Sequence, residues 1–388
     1  MINTIKILKL PVKKSILLKP LINLLIITSI IIVPATIAKS NPTPVTERQV
    51  AFKRAQSLGN GVSLSWLEQT WNKDVLSVNP IKSTDFALIK KLGFKSIRLP
   101  VAFAYFQQRN IPVEKVFTHI DEVLKQCTVY GLKLIIDYHY GNLNDTNYIT
   151  ETPKIINQWL ILTKRYIRES PEKVFFELYN EPPHMSPKVW KDAAYNIVTA
   201  IRNVDKKRTL IVGASNFNSI YELSRMERLA DENIIYTFHF YEPFFFTHQG
   251  ADWVGSQVAT TGVPFPYNAQ TYPPINPKVI GTWGEQNYYQ YEKDGNEQSV
   301  HDKLQIVKNW SAKYDVPILC GEYGVYNKYA DADSRCRYIK AVRTNLKIMG
   351  IPGILWDYNA NFSIFNGPAA INNLSDCMKQ AIDYNGAK

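Results

Sequence analysis

Eight times along the chain a short apolar run of strand length is followed by a longer segment of helical or mixed pattern. The runs are NGVSLSW, FKSIRLPV, LKLIIDYHY, KVFFELYNE, TLIVGAS, NIIYTFHFY, PILCGEYGV and GILWDYN. A strand can reach a parallel neighbour only through a crossover, so alternation of this kind points to a parallel sheet with helices packed on it. Eight such units predict an α/β fold, a closed (β/α)8 TIM barrel, and the 388 residues are enough for one.

The helical segments carry their own stop and start signals. TDFALIKKLG ends at Gly93 and VFTHIDEVLKQCTVYG at Gly131. TPKIINQWLILTKRYIRE reads as a helix entered at Thr152-Pro153, and the next helix has Ser186 in the N-cap position with Pro187 at its first turn. One connection breaks the rhythm. From Tyr241 to about Gln298 the chain is rich in aromatics, Pro and Gly and lacks helical period, which predicts a long insertion after strand six, ordered as a wall or lid over the strand-end face.

The N-terminus reads differently from the rest. MINTIKILKLPVKKSILLK carries five lysines and no acid, and is followed by the apolar run LINLLIITSIIIV and then PATIA. That order predicts a signal peptide over residues 1–38, cleaved after Ala38, a linker over 39–50, and a catalytic barrel over 51–388 in a secreted or periplasmic protein. An uncleaved membrane anchor is the competing reading. Without those five lysines the formal charge falls from +11 to +6, and no basic stripe or nucleic-acid motif remains, so no nucleic-acid partner is expected. The four cysteines lack zinc or thioredoxin spacing; Cys336 with Cys377 is the pair expected to bridge, and no metal or cofactor is expected.

In such a barrel the chemistry sits at the C-terminal ends of the strands. Those ends carry Arg98, then Asp137 and His139, Asn180 and Glu181, His239 and Tyr241, Glu322, and Trp356. Glu181 and Glu322 end strands four and seven, which face each other across the mouth. Two opposed carboxylates suit cleavage of a glycosidic bond, one protonating the leaving oxygen and the other attacking the anomeric carbon. A metal centre would want more His and carboxylate ligands at one point. Asp137 and Glu177 lie inside strands and read as buried, paired structural groups.

With these residues assembled, the sequence resembles glycoside hydrolase family five, the cellulase family, through GFKSIRLPV, GLKLIIDYHY, FELYNEP, YTFHFYEP, PILCGEYGV and GILWDYN, in family order. The resemblance implies that Glu181 is the acid/base, that Asn180 holds the hydroxyl beside the anomeric centre, and that Glu322 is the nucleophile, hydrogen-bonded by Arg98 and Tyr241. It implies sugar-binding and acid-positioning roles for His139 and His239, and an aromatic floor at Trp356. The mechanism implied is retaining, by double displacement. Two stretches depart from the family pattern: NGVSLSWLEQ at the first strand, where an Asn and a Gly-Asn-Trp-like stretch are common, and His139-Tyr140, where His-His is frequent.

The expected activity is an endo-β-1,4-glucanase, with a β-mannanase or β-1,3-glucan hydrolase as alternatives and a carbohydrate-binding protein on an inactive barrel as the non-enzyme reading. The expected partner is a β-glucan or related polysaccharide or oligosaccharide, with no obligate protein partner. Substrate choice is expected to lie with Phe244, Phe245, Phe246, Trp253 and Tyr267 of the insertion.

Overall fold

The computed structural model describes residues 45–386 except Lys73. The expected signal peptide lies outside the described residues. Of the expected linker, the last four residues prove helical: Glu47–Leu58 is an α-helix whose N-cap Thr46 and third residue Gln49 form a reciprocal capping box.

All eight runs form strands: β1 Asn60–Ser63, β2 Ser96–Val101, β3 Lys133–Tyr138, β4 Val174–Glu177, β5 Leu210–Val212, β6 Ile234–Phe240, β7 Ile318–Tyr323 and β8 Gly353–Leu355. They pair in sequence order, each parallel to the next, and β8 closes on β1 through Asn60–Gly353, Gly61–Ile354 and Val62–Leu355. The fold is the (β/α)8 barrel.

Two hydrophobic layers hold it. Inside the barrel, Ile135, Phe175, Ile211, Ile235, Leu319 and Ile354 meet Ala55 and Leu58 of the Glu47–Leu58 helix. That helix runs directly into β1, so it plugs the end of the barrel where the strands begin, and the opposite end is left for chemistry. Between strands and helices lies the larger core, with Trp159, Trp190, Ile197 and Val342 among its fully buried members.

The helix signals hold in part. Gly131 ends the Val113–Tyr130 helix in the left-handed conformation, at φ 62°. The next helix starts at Tyr148, not at Thr152, and carries Pro153 inside it. Its first turn is secured earlier, by Thr150 and Glu151 N–H donating to Asn147 O at 2.9 and 3.0 Å. Ser186 stands at the N-cap of Pro187–Arg202 but makes no side-chain cap bond.

The insertion after β6 is ordered but not wholly without helix: Phe244–Thr247 and Trp283–Asp294 are helical, with single 3-10 turns between. Its aromatics mostly pack inward. Phe246 meets Phe265 and Tyr338 at centroid distances of 5.4 and 5.6 Å, Phe245 meets Tyr288 and Tyr291, and Tyr267 meets Tyr272 at 5.0 Å. Cys336 and Cys377 are disulfide-bonded, tying the short helix Asp376–Ala381 to Ala332–Met349, while Cys127 and Cys320 are free and buried.

Candidate active site

The polar residues expected at the strand ends converge on one cleft of about 620 Å³. His139, Asn180, Glu181, Tyr241, Glu322 and Trp356 line it. Arg98 and His239 lie just beneath, buried. Arg98 lies in the middle of β2 and not at its end, because Leu99, Pro100 and Val101 continue the ladder with β3.

Local backbone explains how they arrive. Past the last ladder residue of β4, Leu178 and Asn180 N–H still donate to Ile211 O and Tyr138 O at 3.0 Å, so the chain stays extended far enough to lift Asn180 and Glu181 to the rim. Across the barrel, β7 carries one extra residue: the register with β6 passes from Phe238–Cys320 to His239–Glu322, skipping Gly321. Such a bulge re-aims the side chain after it. Glycine is required there because a Cβ on residue 321 would lie 2.4 Å from Thr237 Oγ1.

Beneath the rim, Arg98 organises the floor. Its Nε and Nη2 donate to the two oxygens of Glu177 at 2.7 and 3.0 Å, and Nη1 donates to Oε1 of Glu322 at 2.6 Å. Nη2 also donates to Oδ1 of Asn180 at 2.7 Å and lies 3.1 Å from Oδ2 of Asp137. Burial opposes the Arg98 charge, but Asp137, Glu177 and Glu322 more than restore it, so its pKa stands well above the ordinary guanidinium value. Asp137 and Glu177 are the buried, paired groups expected from their place in the strands. Because Oδ1 of Asn180 is held by Arg98, its Nδ2, without a partner among the described residues, is free to donate into the cleft.

The second oxygen of Glu322 accepts from the Tyr241 hydroxyl at 2.8 Å. His239 stands between the two glutamates, its Nδ1 2.6 Å from Oε1 of Glu181 and 3.5 Å from Oε2 of Glu322. One atom from each of the three residues lies within 4.8 Å of the others. The same spacing could serve a metal ion, but both Glu322 oxygens are already taken by Arg98 and Tyr241 and His239 is at hydrogen-bond distance from Glu181.

Desolvation sets the protonation states. It raises Glu181 to about 7, with His139 and Arg98 partly opposing. It lowers His239 to about 4 and His139 to about 3, so both imidazoles are neutral at neutral pH. His139 Nδ1 lies 2.7 Å from Asp137 Oδ2, and its ring stacks on Trp356 at 5.7 Å and 5°. The arrangement offers one carboxyl poised to give up a proton near neutrality, a second held by two donors, and an aromatic face beside them.

Of the five insertion aromatics expected to shape the cleft, only Trp253 lines it; it is 58% exposed. Phe245 and Phe246 are buried, Tyr267 packs on other tyrosines, and Phe244 stacks on His248 at 4.0 Å. The difference is physical: Phe245 and Phe246 sit on a single helical turn whose inward face closes the core. Sequence reasoning passed over Glu68, Trp71, His248, Asp357, Asn361 and Phe362, which also line the cleft. All lie in loops without periodicity; Asp357, inside the run GILWDYN and next to Trp356, and Glu68 and Trp71, close after β1, carried a signal that position alone could have raised.

Residues 55–362 match the family model described as Cellulase (glycosyl hydrolase family 5). The chain is similar to Endoglucanase 3 of Fibrobacter succinogenes, 30% identical over 355 residues that make up 84% of this chain and 53% of that protein, so it spans about half of that relative's length. It is 31% identical over 334 residues to Endoglucanase C of Acetivibrio thermocellus, covering 82% of this chain and 94% of the relative. Among solved structures, a hyperthermophilic endo-beta-1,4-glucanase in complex with substrate matches with a TM-score of 0.70 at 24% identity, over 86% of this chain and 98% of that one. At that identity the likeness is one of fold.

Proposed function

The chain belongs to the cellulase family, glycosyl hydrolase family 5, and is a glycoside hydrolase; from that premise we propose that it cleaves β-1,4-linked glucan internally, with retention, by double displacement. The observation that carries this reading is the approach of Glu181, His239 and Glu322 to within 4.8 Å in an open cleft. Retaining enzymes hold their carboxyls about 5–5.5 Å apart, whereas inverting enzymes need about 6.5–9.5 Å to fit a water.

In the proposed reaction Glu322, oriented by Arg98 and Tyr241, attacks the anomeric carbon while Glu181 gives its proton to the leaving oxygen. Glu322 then carries the sugar as an ester, and its negative charge is gone. Glu181, now ionised, takes a proton from water, which attacks the ester and frees Glu322. The Nδ2 of Asn180 donates to the neighbouring sugar hydroxyl, and Trp356 with His139 stacked behind it supports the ring. Exposed Trp71 and Trp253, 62% and 58% accessible, stand at the cleft wall and suit a chain that continues beyond the cut, which favours endo action.

The names of the curated relatives support a β-glucan as substrate. The test is hydrolysis of carboxymethylcellulose, mannan, barley glucan, laminarin and xyloglucan by the wild type and by Glu181→Ala, with viscosity loss compared with reducing-end release. Preference for mannan or laminarin would replace the glucanase reading with one of its alternatives. Export with cleavage after Ala38 belongs to the same proposal. The basic and apolar N-terminal sequence supports it, and the Cys336–Cys377 bridge suits an oxidising compartment. N-terminal sequencing of secreted material checks it; an intact Met1 in membrane fractions would favour an anchor.

A further inference from the structure

The two stretches that depart from the family pattern are in contact with each other. The hydroxyl of Tyr140, after β3, donates to Oε2 of Glu68, in the loop after β1, at 2.8 Å. Both side chains line the cleft beside Trp356 and Asp357. Double displacement as derived above uses neither.

The loop that presents Glu68 is firmly built. Leu67 bridges to Val101 at the end of β2, and its carbonyl accepts from Ala102 N–H at 3.0 Å. Trp66 packs edge-on against Phe86 and Tyr358, and its indole N–H donates to Asn359 Oδ1 at 3.0 Å. The Gln69 carboxamide oxygen accepts from Asn72 and Asn79 at 3.0 and 3.1 Å. Glu68 is therefore held in place, and it is only 2% exposed.

A buried carboxyl ordinarily finds a cation or several donors. Glu68 has one: the Tyr140 hydroxyl is its sole hydrogen-bond partner among the described residues, none of whose Lys or Arg side chains pairs with it, and Oε1 is left without a partner at the wall of the cleft. Tyr140 contributes an independent sign. Its φ is 60°, in the left-handed region that a bulky side chain adopts only against a steric cost, and such strain concentrates at functional sites. From that backbone its phenol reaches Glu68 across the cleft wall, while its ring packs edge-on to His139 at 4.5 Å.

We propose that Glu68 and Tyr140 form a specificity-determining pair in which Oε1 of Glu68 hydrogen-bonds one hydroxyl of the pyranose lying against Trp356 or of its immediate neighbour, with Tyr140 fixing the carboxyl's orientation. This rests on the reading that the glycan is cut between Glu181 and Glu322. The ligand is a neutral sugar hydroxyl, and the carboxyl meets it without a charge. Burial raises Glu68 to about 8, Asp357 and Glu322 add repulsion, and Tyr140 and Arg98 oppose the rise. Below that pH the carboxyl is neutral and Oε1 can donate its proton to the sugar oxygen; above it, a new negative charge faces Glu322 and Asp357.

The experiment uses the full chain with Glu68→Gln, Glu68→Ala and Tyr140→Phe, assayed on aryl β-cello-oligosaccharides and their monodeoxy analogues. Glu68→Ala is expected to lower kcat/KM about tenfold, mainly through KM, with its melting temperature kept or raised. One deoxy position that costs the wild type about tenfold should cost Glu68→Ala nothing further, because the lost partner is the same. Glu68→Gln should keep most activity, and above about pH 8 it should decline with the single ionisation of Glu181, where the wild type, losing a second proton from Glu68, falls more steeply. The proposal is overturned if Glu68→Ala matches wild-type kcat/KM, or if every deoxy substrate costs the variant as much as the wild type. Should Glu68→Ala not fold, Glu68→Gln on the deoxy series and the pH profile decides alone. Retained hydrolysis in Glu181→Ala and Glu322→Gln controls would instead sink the reading of the cleft as the cutting site.

Discussion

Nη1 of Arg98 donates to Oε1 of Glu322 across 2.6 Å, although 224 positions separate the two residues and both are buried. The same guanidinium holds Glu177 and Asn180, so one cation sets the position of two groups that line the cleft, Glu322 and Asn180. Arg98→Lys replaces a planar fork with a point charge that cannot reach all of them. We expect kcat to fall on the order of 100-fold, as on loss of a preorganised donor, with a lower melting temperature. Kinetics within error of wild type would show that Glu322 is positioned by something else.

The two glutamates should fail in different ways. Glu322→Gln removes the proposed nucleophile and should abolish turnover of every substrate. Glu181→Ala should lose about 10²–10⁴-fold on glucan but much less on an aryl glycoside whose leaving group needs no proton. Equal losses on both substrates would remove Glu181 from the acid role.

Glu181 also predicts two pH effects. In the proposed acid role it must be protonated, so kcat/KM should decline as pH rises through about 7. For stability, its folded pKa is raised above the unfolded value by desolvation, so the folded state binds the proton more tightly and stability is lost as pH rises from the ordinary carboxyl range to about 7. Glu181→Gln should therefore melt close to wild type in acid and above it at alkaline pH. A variant whose advantage is the same at all pH values would contradict this.

Within the insertion, two aromatics should separate stability from binding. Phe246→Ala empties a buried site between Phe265 and Tyr338 and should cost about 3–5 kcal/mol. Trp253→Ala, at an exposed cleft wall, should leave the melting temperature unchanged and raise KM for long chains more than for short ones. Thermal denaturation and KM against chain length test both.

The Cys336–Cys377 bridge closes a loop with a sequence separation of 41. The chain-entropy account assigns such a loop about 4 kcal/mol. A reductant should lower the melting temperature of the wild type and leave a Cys336→Ser, Cys377→Ser variant unaffected.

The sequence by itself determined the barrel, because eight apolar runs separated by helical segments leave few other ways to bury both faces of a parallel sheet. It also marked the polar residues of the strands from Arg98 to Trp356, since a polar side chain within or closing an apolar strand is conspicuous. Only the tertiary structure decided which of these touch, and what surrounds them. That Gly321 is the extra residue of a bulge aiming Glu322 inward depends on its register with β6. That Phe245 and Phe246 are core while Trp253 lines the cleft depends on which face of a short helix meets the barrel. Glu68 and Tyr140 lie 72 positions apart in loops without periodicity, and nothing in their spacing shows that barrel closure brings their oxygens to 2.8 Å. Local patterns encode burial along one element; contacts between loops exist only once all eight strands have closed.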